Sequence, residues 1–327
     1  MIKNIALLAG GYSGESVVSM QSAAQIEKSI PTEKYKVYKI IITRDSWAYT
    51  DSQGNKQEID KNDFSISVNG SKVKFDCVFI AIHGAPGEDG LLQSYFELLQ
   101  IPYTTCDSYT SALTFNKSYT NCVVASAGVN VAKSVQLFED QSYTVDELLK
   151  TLKLPVFVKP NNGGSSIGTS KVKEVTELEA AIQKAFKEDK QVLVEEFIKG
   201  REFSCGVIKR GDEISVLPVT EIISSKEFFD FEAKYTPGMT REVTPADIDA
   251  ETLKIVHQNL KRSYMRLNCR GVVRIDFFLE EGTNKFFFLE VNTVPGQTET
   301  SLIPQQVAAM GWDIKEFYSS VIEEACK

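Results

Sequence analysis

Four polar residues in the run GVVRIDFFLEEGTNKFFFLEVN could do chemistry together: Arg274, Asp276, Glu290 and Asn292. Side chains alternate between faces along a strand, and the odd-length connection EEGTN keeps that alternation in step on the return, so the four share one face. Ile275, Phe277, Phe287 and Leu289 fall on the other, with Phe278, Phe286 and Phe288 flanking the polar group. Both faces therefore read as largely buried, where carboxylates without partners are costly. An ion pair from Arg274 to one acid would offset part of that cost. Two carboxylates and an amide oxygen are also hard ligands of the kind Mg2+ takes together with phosphate oxygens. The surplus negative charge favours the metal reading.

A second run, VKPNNGGSSIG from Val158 to Gly168, has the composition of a phosphate-wrapping loop. Lys159 precedes the glycines and the chain continues as TSKVKEV, whereas a Walker loop carries its lysine after them and opens into a helix. The loop is expected between two strands, PVFVK and GTSKVK. EEFIKGRE sets Glu195, Glu196 and Glu202 around a short linker where main-chain groups of Phe197 and Ile198 could meet an adenine edge, although acid-rich linkers are usually solvated. FFDFEAKYTPG, with Lys234 and Tyr235, reads as a mobile lid or as a plain surface loop.

Near the N-terminus, GGYSGE follows one strand and HGAPGEDG another, which puts Glu15 and His83 at the carboxyl edge of a sheet, where ligands bind in α/β folds. The first is not GxGxxG, so a dinucleotide fits poorly. A lone histidine is commonly structural; ahead of glycines and acids, His83 is equally a candidate for the site.

The elements that must position these residues change character along the chain. Ile5 to Leu8, YKVYKIII and CVFIAIHG read as strands, alternating with helices at Ser16 to Ser29 and LLQSYFELLQ, which predicts a doubly wound parallel sheet. Capping boxes, Thr144 with Glu147 and Thr176 with Glu179, precede two helices. EFSCGVIK, EISVLPVTEII, GVVRIDFFL and KFFFLEVN are long strands of an antiparallel sheet, with a helix led by Thr244-Pro245 and running through LKIVHQNLKRSYMRL. The fold class is thus α/β and α+β, in three parts: an N-terminal α/β domain over 1–112, a central unit with the glycine-rich loop over 113–196, and a C-terminal unit over 197–327.

With 36 basic against 44 acidic residues, net charge −8, nucleic acid and anionic membranes are poor partners and a small molecule is a better one. Six scattered cysteines without a CxxC pair suggest buried thiols in a reducing compartment, so the chain is expected in the cytoplasm.

Taken in order, GGYSGE with VVSMQSA, HGAPGEDGLLQ with IPYT, FVKPNNGGSSIGTSKV, VEEFIKGREF, FFDFEAKY, CRGVVRIDFF and EVNTVPGQTETSLIP resemble the D-alanine–D-alanine ligase family of ATP-grasp enzymes. The resemblance implies ATP-dependent joining of two D-alanine molecules through an acyl phosphate, for peptidoglycan synthesis, by a cytoplasmic homodimer. It implies that Lys117 and Lys159 contact ATP phosphates beneath a cover that includes Ser166, that Glu195, Glu196, Phe197 and Ile198 border adenine, and that Glu202 holds the ribose. Asp276, Glu290 and Asn292 would ligate two Mg2+ ions, with Mn2+ as an alternative. Glu15 would receive the first substrate's ammonium with His83 close by, and Ser301 and Leu302 the second substrate's carboxylate. Arg274 and the Gly296 N–H would stabilise the oxyanion, Lys234 the transferring phosphoryl, and Tyr235, Ser165 and Glu15 would close the lid. The Lys234-Tyr235 pair favours an amide product. The alternatives are an ATP-grasp ligase taking D-serine or D-lactate as second substrate, and a non-catalytic nucleotide-binding module.

Overall fold

The computed structural model describes residues 2–164, 166–224 and 240–327. Lys3–Gly10 lies between Tyr35–Ile42 and Cys77–Ile80, parallel to both. Trp47–Thr50 and Lys56–Glu58 extend the sheet antiparallel at one edge, giving five strands. The central strand is apolar at nearly every position because both its faces are covered. Ile5, Leu7 and Ala9 pack with Ala23 and Ile26 of helix Ser16–Ser29, while Ala6 and Leu8 face Leu92 and Phe96 of helix Leu91–Leu98. The last helix, Ile314–Ala325, returns to this first sheet, burying Phe317, Tyr318, Val321 and Ile322 in the same cluster as Ile5.

The second sheet orders Ser170–Val172, Val156–Pro160, Gln191–Glu196 and Ser134–Phe138, all antiparallel. Val156, Val158, Val192 and Val194 pack on Leu148, Leu178 and Ile182 from helices Val145–Thr151 and Val175–Phe186. Alternation along the strands turns Lys159 and Glu195 to the opposite face. The third sheet runs Thr240–Val243, Thr220–Ser224, Gly200–Arg210, Val272–Glu280, Phe286–Asn292, with Glu213–Val216 also paired to Gly200–Arg210. Phe203, Cys205, Ile275 and Phe277 pack against Val256, Leu260 and Tyr264 of helix Ala250–Arg266. The intervening residues Ser204, Arg274 and Asp276 face away from that core.

Several sequence expectations need correction. EISVLPVTEII is not one strand: Glu213–Val216 and Thr220–Ser224 pair with successive parts of Gly200–Arg210, and between them Pro218 has no N–H for a ladder. The second capping box is not Thr176 with Glu179; Glu174 caps the helix and pairs with Glu177, two residues earlier. Helix Ala250–Arg266 starts beyond Thr244-Pro245, where Asp249 accepts from the N–H groups of Glu251 and Thr252. Helix Ser108–Phe115 and strand Ser134–Phe138 carry no strong periodicity and were not foreseen.

The largest correction concerns the hairpin. Asp276 pairs with Glu290, but Phe277 pairs with Phe288 and Phe278 with Phe287, so Leu289 is the extra residue of a β-bulge. A bulge breaks the period-two alternation. Phe286 and Phe288 therefore join Ile275 and Phe277 in the core, and Phe287 turns to the polar side with Phe278. The polar residues lie on the side of the bulge away from the turn, Arg274 and Asp276 in one strand and Glu290 and Asn292 in the other, and share one face, with Arg274 opposite Asn292 and Asp276 opposite Glu290.

Candidate active site

A cavity of about 910 Å3 lies where the three sheets converge, and every described candidate lines it, from Glu15 and His83 to Ser301 and Leu302. Ser165, Lys234 and Tyr235 lie outside the described residues. On the side of the third sheet, Arg274 grips Asp276 bidentately, Nε to Oδ1 at 2.9 Å and a terminal nitrogen to Oδ2 at 2.8 Å. Ser204 Oγ donates to Asp276 Oδ1 at 2.6 Å and Asn292 Nδ2 to Oδ2 at 3.2 Å. Burial opposes the Arg274 charge, but Asp276, Glu290 and Glu88 around it outweigh burial and raise its pKa. Ser204 carried no signal in sequence, because its partner is 72 residues away.

Across the cavity, Lys159 and Glu195 form a buried ion pair of 2.5 Å. Glu195, expected to border adenine, is in this structure the ion-pair partner of Lys159. Lys117 stands at the start of helix Lys117–Ser126, whose cap is Asn116, the side-chain oxygen accepting from Tyr119 N at 3.0 Å. Its Nζ donates to the carbonyl of Gly163 at 2.6 Å and lies 3.9 Å from Glu290, tying the glycine-rich loop to the hairpin face. The loop joins antiparallel strands as expected, with Ser166 at φ 57°. Glu15 is the N-cap residue of helix Ser16–Ser29, but its side chain makes no cap hydrogen bond. Its carboxylate instead approaches the loops, since a β-carbon built on Gly84 would lie 3.3 Å from one oxygen and one on Gly164 would lie 3.6 Å from both.

His83 is buried, and both ring nitrogens are engaged. Nδ1 lies 2.8 Å from the carbonyl of Val294, and Nε2 lies 3.2 Å from Ser22 Oγ. A carbonyl only accepts, so the proton sits on Nδ1 and Ser22 donates to Nε2. Burial lowers the imidazole pKa, with the Glu15 charge opposing, which favours this neutral form.

Glu88 was missed. Its carboxylate accepts the N–H of Gly84 at 2.7 Å and that of Val294 at 3.0 Å. Burial pushes its pKa up to about 7, against those two hydrogen bonds and with the Glu15 charge adding to the rise. HGAPGEDG marked the segment, but nothing in sequence links Glu88 to Val294, 206 positions later.

The fit to a divalent cation is favourable on donor chemistry. Asp276, Glu290 and Asn292 are oxygen donors on one face at the cavity wall. Among the described residues no group of three or more His, Cys, Asp or Glu gathers as a metal site, here or elsewhere, so the fit rests on two carboxylates and an amide oxygen. Among the described residues, no helix is long and apolar enough to cross a membrane.

Known proteins share this sequence pattern and fold. Residues 4–106 match the model of the D-ala D-ala ligase N-terminus and residues 123–323 that of the C-terminus. A D-alanine–D-alanine ligase of Parabacteroides distasonis is 45% identical over 327 residues, covering 100% of this chain and 98% of the relative. Among solved structures, the VanG D-Ala:D-Ser ligase of Enterococcus faecalis superposes with a TM-score of 0.89 at 35% identity, covering 99% of this chain and 100% of that one. The D-alanine–D-alanine ligase of Bacillus anthracis complexed with ATP gives 0.80 at 26% identity, covering 99% and 97%. With both halves matched and near-complete coverage of a relative at this identity, the chain belongs to the D-alanine–D-alanine ligase family and has its ATP-grasp fold.

Proposed function

We propose that the protein joins two D-alanine molecules into D-alanyl-D-alanine, with ATP converted to ADP and phosphate, as a step in peptidoglycan precursor synthesis. The observation that carries this reading is the lining of one cavity, where Arg274, Asp276, Glu290 and Asn292 are joined by two lysines, Lys117 and Lys159, and by Glu15. Cations and hard oxygen ligands around one cavity suit a polyphosphate bound among them.

The first D-alanine binds with its ammonium at Glu15, near neutral His83. Its carboxylate oxygen attacks the γ-phosphorus, the bond to the bridging oxygen breaks, and ADP leaves. Lys117 and Lys159 hold the phosphates under the loop backbone around Ser166, and Glu196, Phe197, Ile198 and Glu202 border the nucleoside. The amine of the second D-alanine, its carboxylate held at Ser301 and Leu302, attacks the carbonyl carbon of the acyl phosphate and expels phosphate. Arg274 and the Gly296 N–H stabilise the oxyanion; fixed donors act strongly in a water-excluded site. Asp276, Glu290 and Asn292 would hold two Mg2+ ions, or Mn2+, whose charge would offset that of the phosphates. Ser165, Lys234 and Tyr235 complete the lid in this reading. Three units divided near residues 112 and 196, a cytoplasmic location and a homodimer belong to the same reading.

The test is a coupled phosphate-release assay with ATP, Mg2+ and D-alanine, read together with product mass. Phosphate release with a D-alanyl-D-alanine mass supports the proposal, and neither appearing ends it. D-Serine and D-lactate as second substrates form the other arm, prompted by the D-Ala:D-Ser relative. A clear preference for either overturns the product assignment.

A further inference from the structure

The turn from Val294 to Gln297 is held by Glu88, His83 and Ser22, and of these only His83 is also placed beside substrate. The Val294 peptide is clamped at both ends: Glu88 accepts its N–H at 3.0 Å and His83 Nδ1 donates to its carbonyl at 2.8 Å. Three residues on, the N–H of Gln297 donates to Ser22 Oγ at 3.1 Å, and that hydroxyl in turn donates to His83 Nε2. Pro295 has no N–H. The Gly296 N–H makes no hydrogen bond among the described residues, while Gly296 lines the cavity. One amide of the turn is therefore left over on the cavity side while its neighbours are tied down.

We propose that Glu88 and Ser22 are positioning residues that fix the Val294–Gln297 turn and so aim the Gly296 amide at the oxyanion of the reacting carboxyl. This rests on the ligase reading above. Glu88 needs both carboxylate oxygens, because each takes one backbone N–H, from Gly84 and from Val294. A glutamine offers one oxygen and turns its NH2 toward the other donor, so one of the two bonds must break. Loss of aim by about 1 Å at such a donor costs on the order of 100-fold in rate.

Wild type, Glu88→Gln and Ser22→Ala are compared for kcat and for the KM of ATP, with D-alanine saturating and melting temperature as the fold control. The expected result is a kcat lower by roughly 10- to 100-fold in both variants, with the KM of ATP changed less than about twofold, since the nucleotide walls are untouched. Should Glu88→Gln fail to fold, Ser22→Ala decides alone, since it removes only one hydroxyl. A kcat within about threefold of wild type in a folded variant overturns the proposal, as does a loss that appears in the KM of ATP instead. Inactive wild type would sink the ligase reading; active wild type with unaffected variants sinks only the clamp.

Discussion

Lys159 and Glu195 form a 2.5 Å ion pair between adjacent strands, each side chain less than a tenth exposed. Lys159 stands opposite Leu193 and Glu195 opposite Phe157, so the two meet diagonally on one sheet face. Removing one partner leaves the other charge buried alone. Glu195→Ala should lower unfolding free energy by about 3–5 kcal/mol in urea titrations. ATP should recover part of this, because phosphate can replace the lost carboxylate, so its melting-temperature increment should be larger in the variant than in wild type. Equal increments would mean that Lys159 does not meet phosphate.

Glu88 imposes a pH dependence on stability. Its folded pKa of about 7 lies above the ordinary 4.5, so its contribution is fully present below about 4.5 and is lost as pH rises to about 7. His83 acts in the opposite sense: its pKa is lowered from 6.5, and stability is lost as pH falls below that value. Glu88→Gln removes only the first effect. The stability of the variant relative to wild type should therefore rise between about pH 4.5 and 7, and a flat difference across urea melts at several pH values would contradict the raised pKa.

The hairpin carboxylates should be needed for metal and not for folding. Glu290→Gln is expected to lower turnover by at least about 100-fold and to leave the melting temperature near wild type. Calorimetry should show weaker Mg2+-dependent ATP binding. Near-normal turnover, or ATP binding with an unchanged Mg2+ requirement, would remove Glu290 from the site.

Just ahead of strand Val272–Glu280, a glycine passes close to the segment that follows helix Leu91–Leu98. Gly271 has φ 63°, and a β-carbon there would lie 2.2 Å from the carbonyl oxygen of Thr104. The left-handed backbone alone costs an alanine about 1–2 kcal/mol, and the clash is with backbone that cannot rotate aside. Gly271→Ala should destabilise by more than about 2 kcal/mol; a variant as stable as wild type would show that this junction gives way.

How much of this was legible in sequence depended on range. Local signals were read well: helix Ser16–Ser29 and strand Tyr35–Ile42 match the expected spans, and the lysine ahead of its glycines marked a loop between strands. The polar face of Arg274, Asp276, Glu290 and Asn292 followed from alternation over a few residues. The same alternation failed between the turn and Glu290, because the Leu289 bulge is invisible to a period-two count.

What the sequence determined by itself was therefore the set of chemically capable residues and most of the strands and helices that carry them, since both depend on spacings of a few positions. Tertiary structure alone decided which partners those residues meet. Lys159 finds Glu195 across the second sheet, Ser204 supports Asp276 from a neighbouring strand, and Glu88 reaches Val294 across 206 positions. These are contacts between elements distant in the chain, fixed by how three sheets pack around one cavity, and no local pattern encodes them.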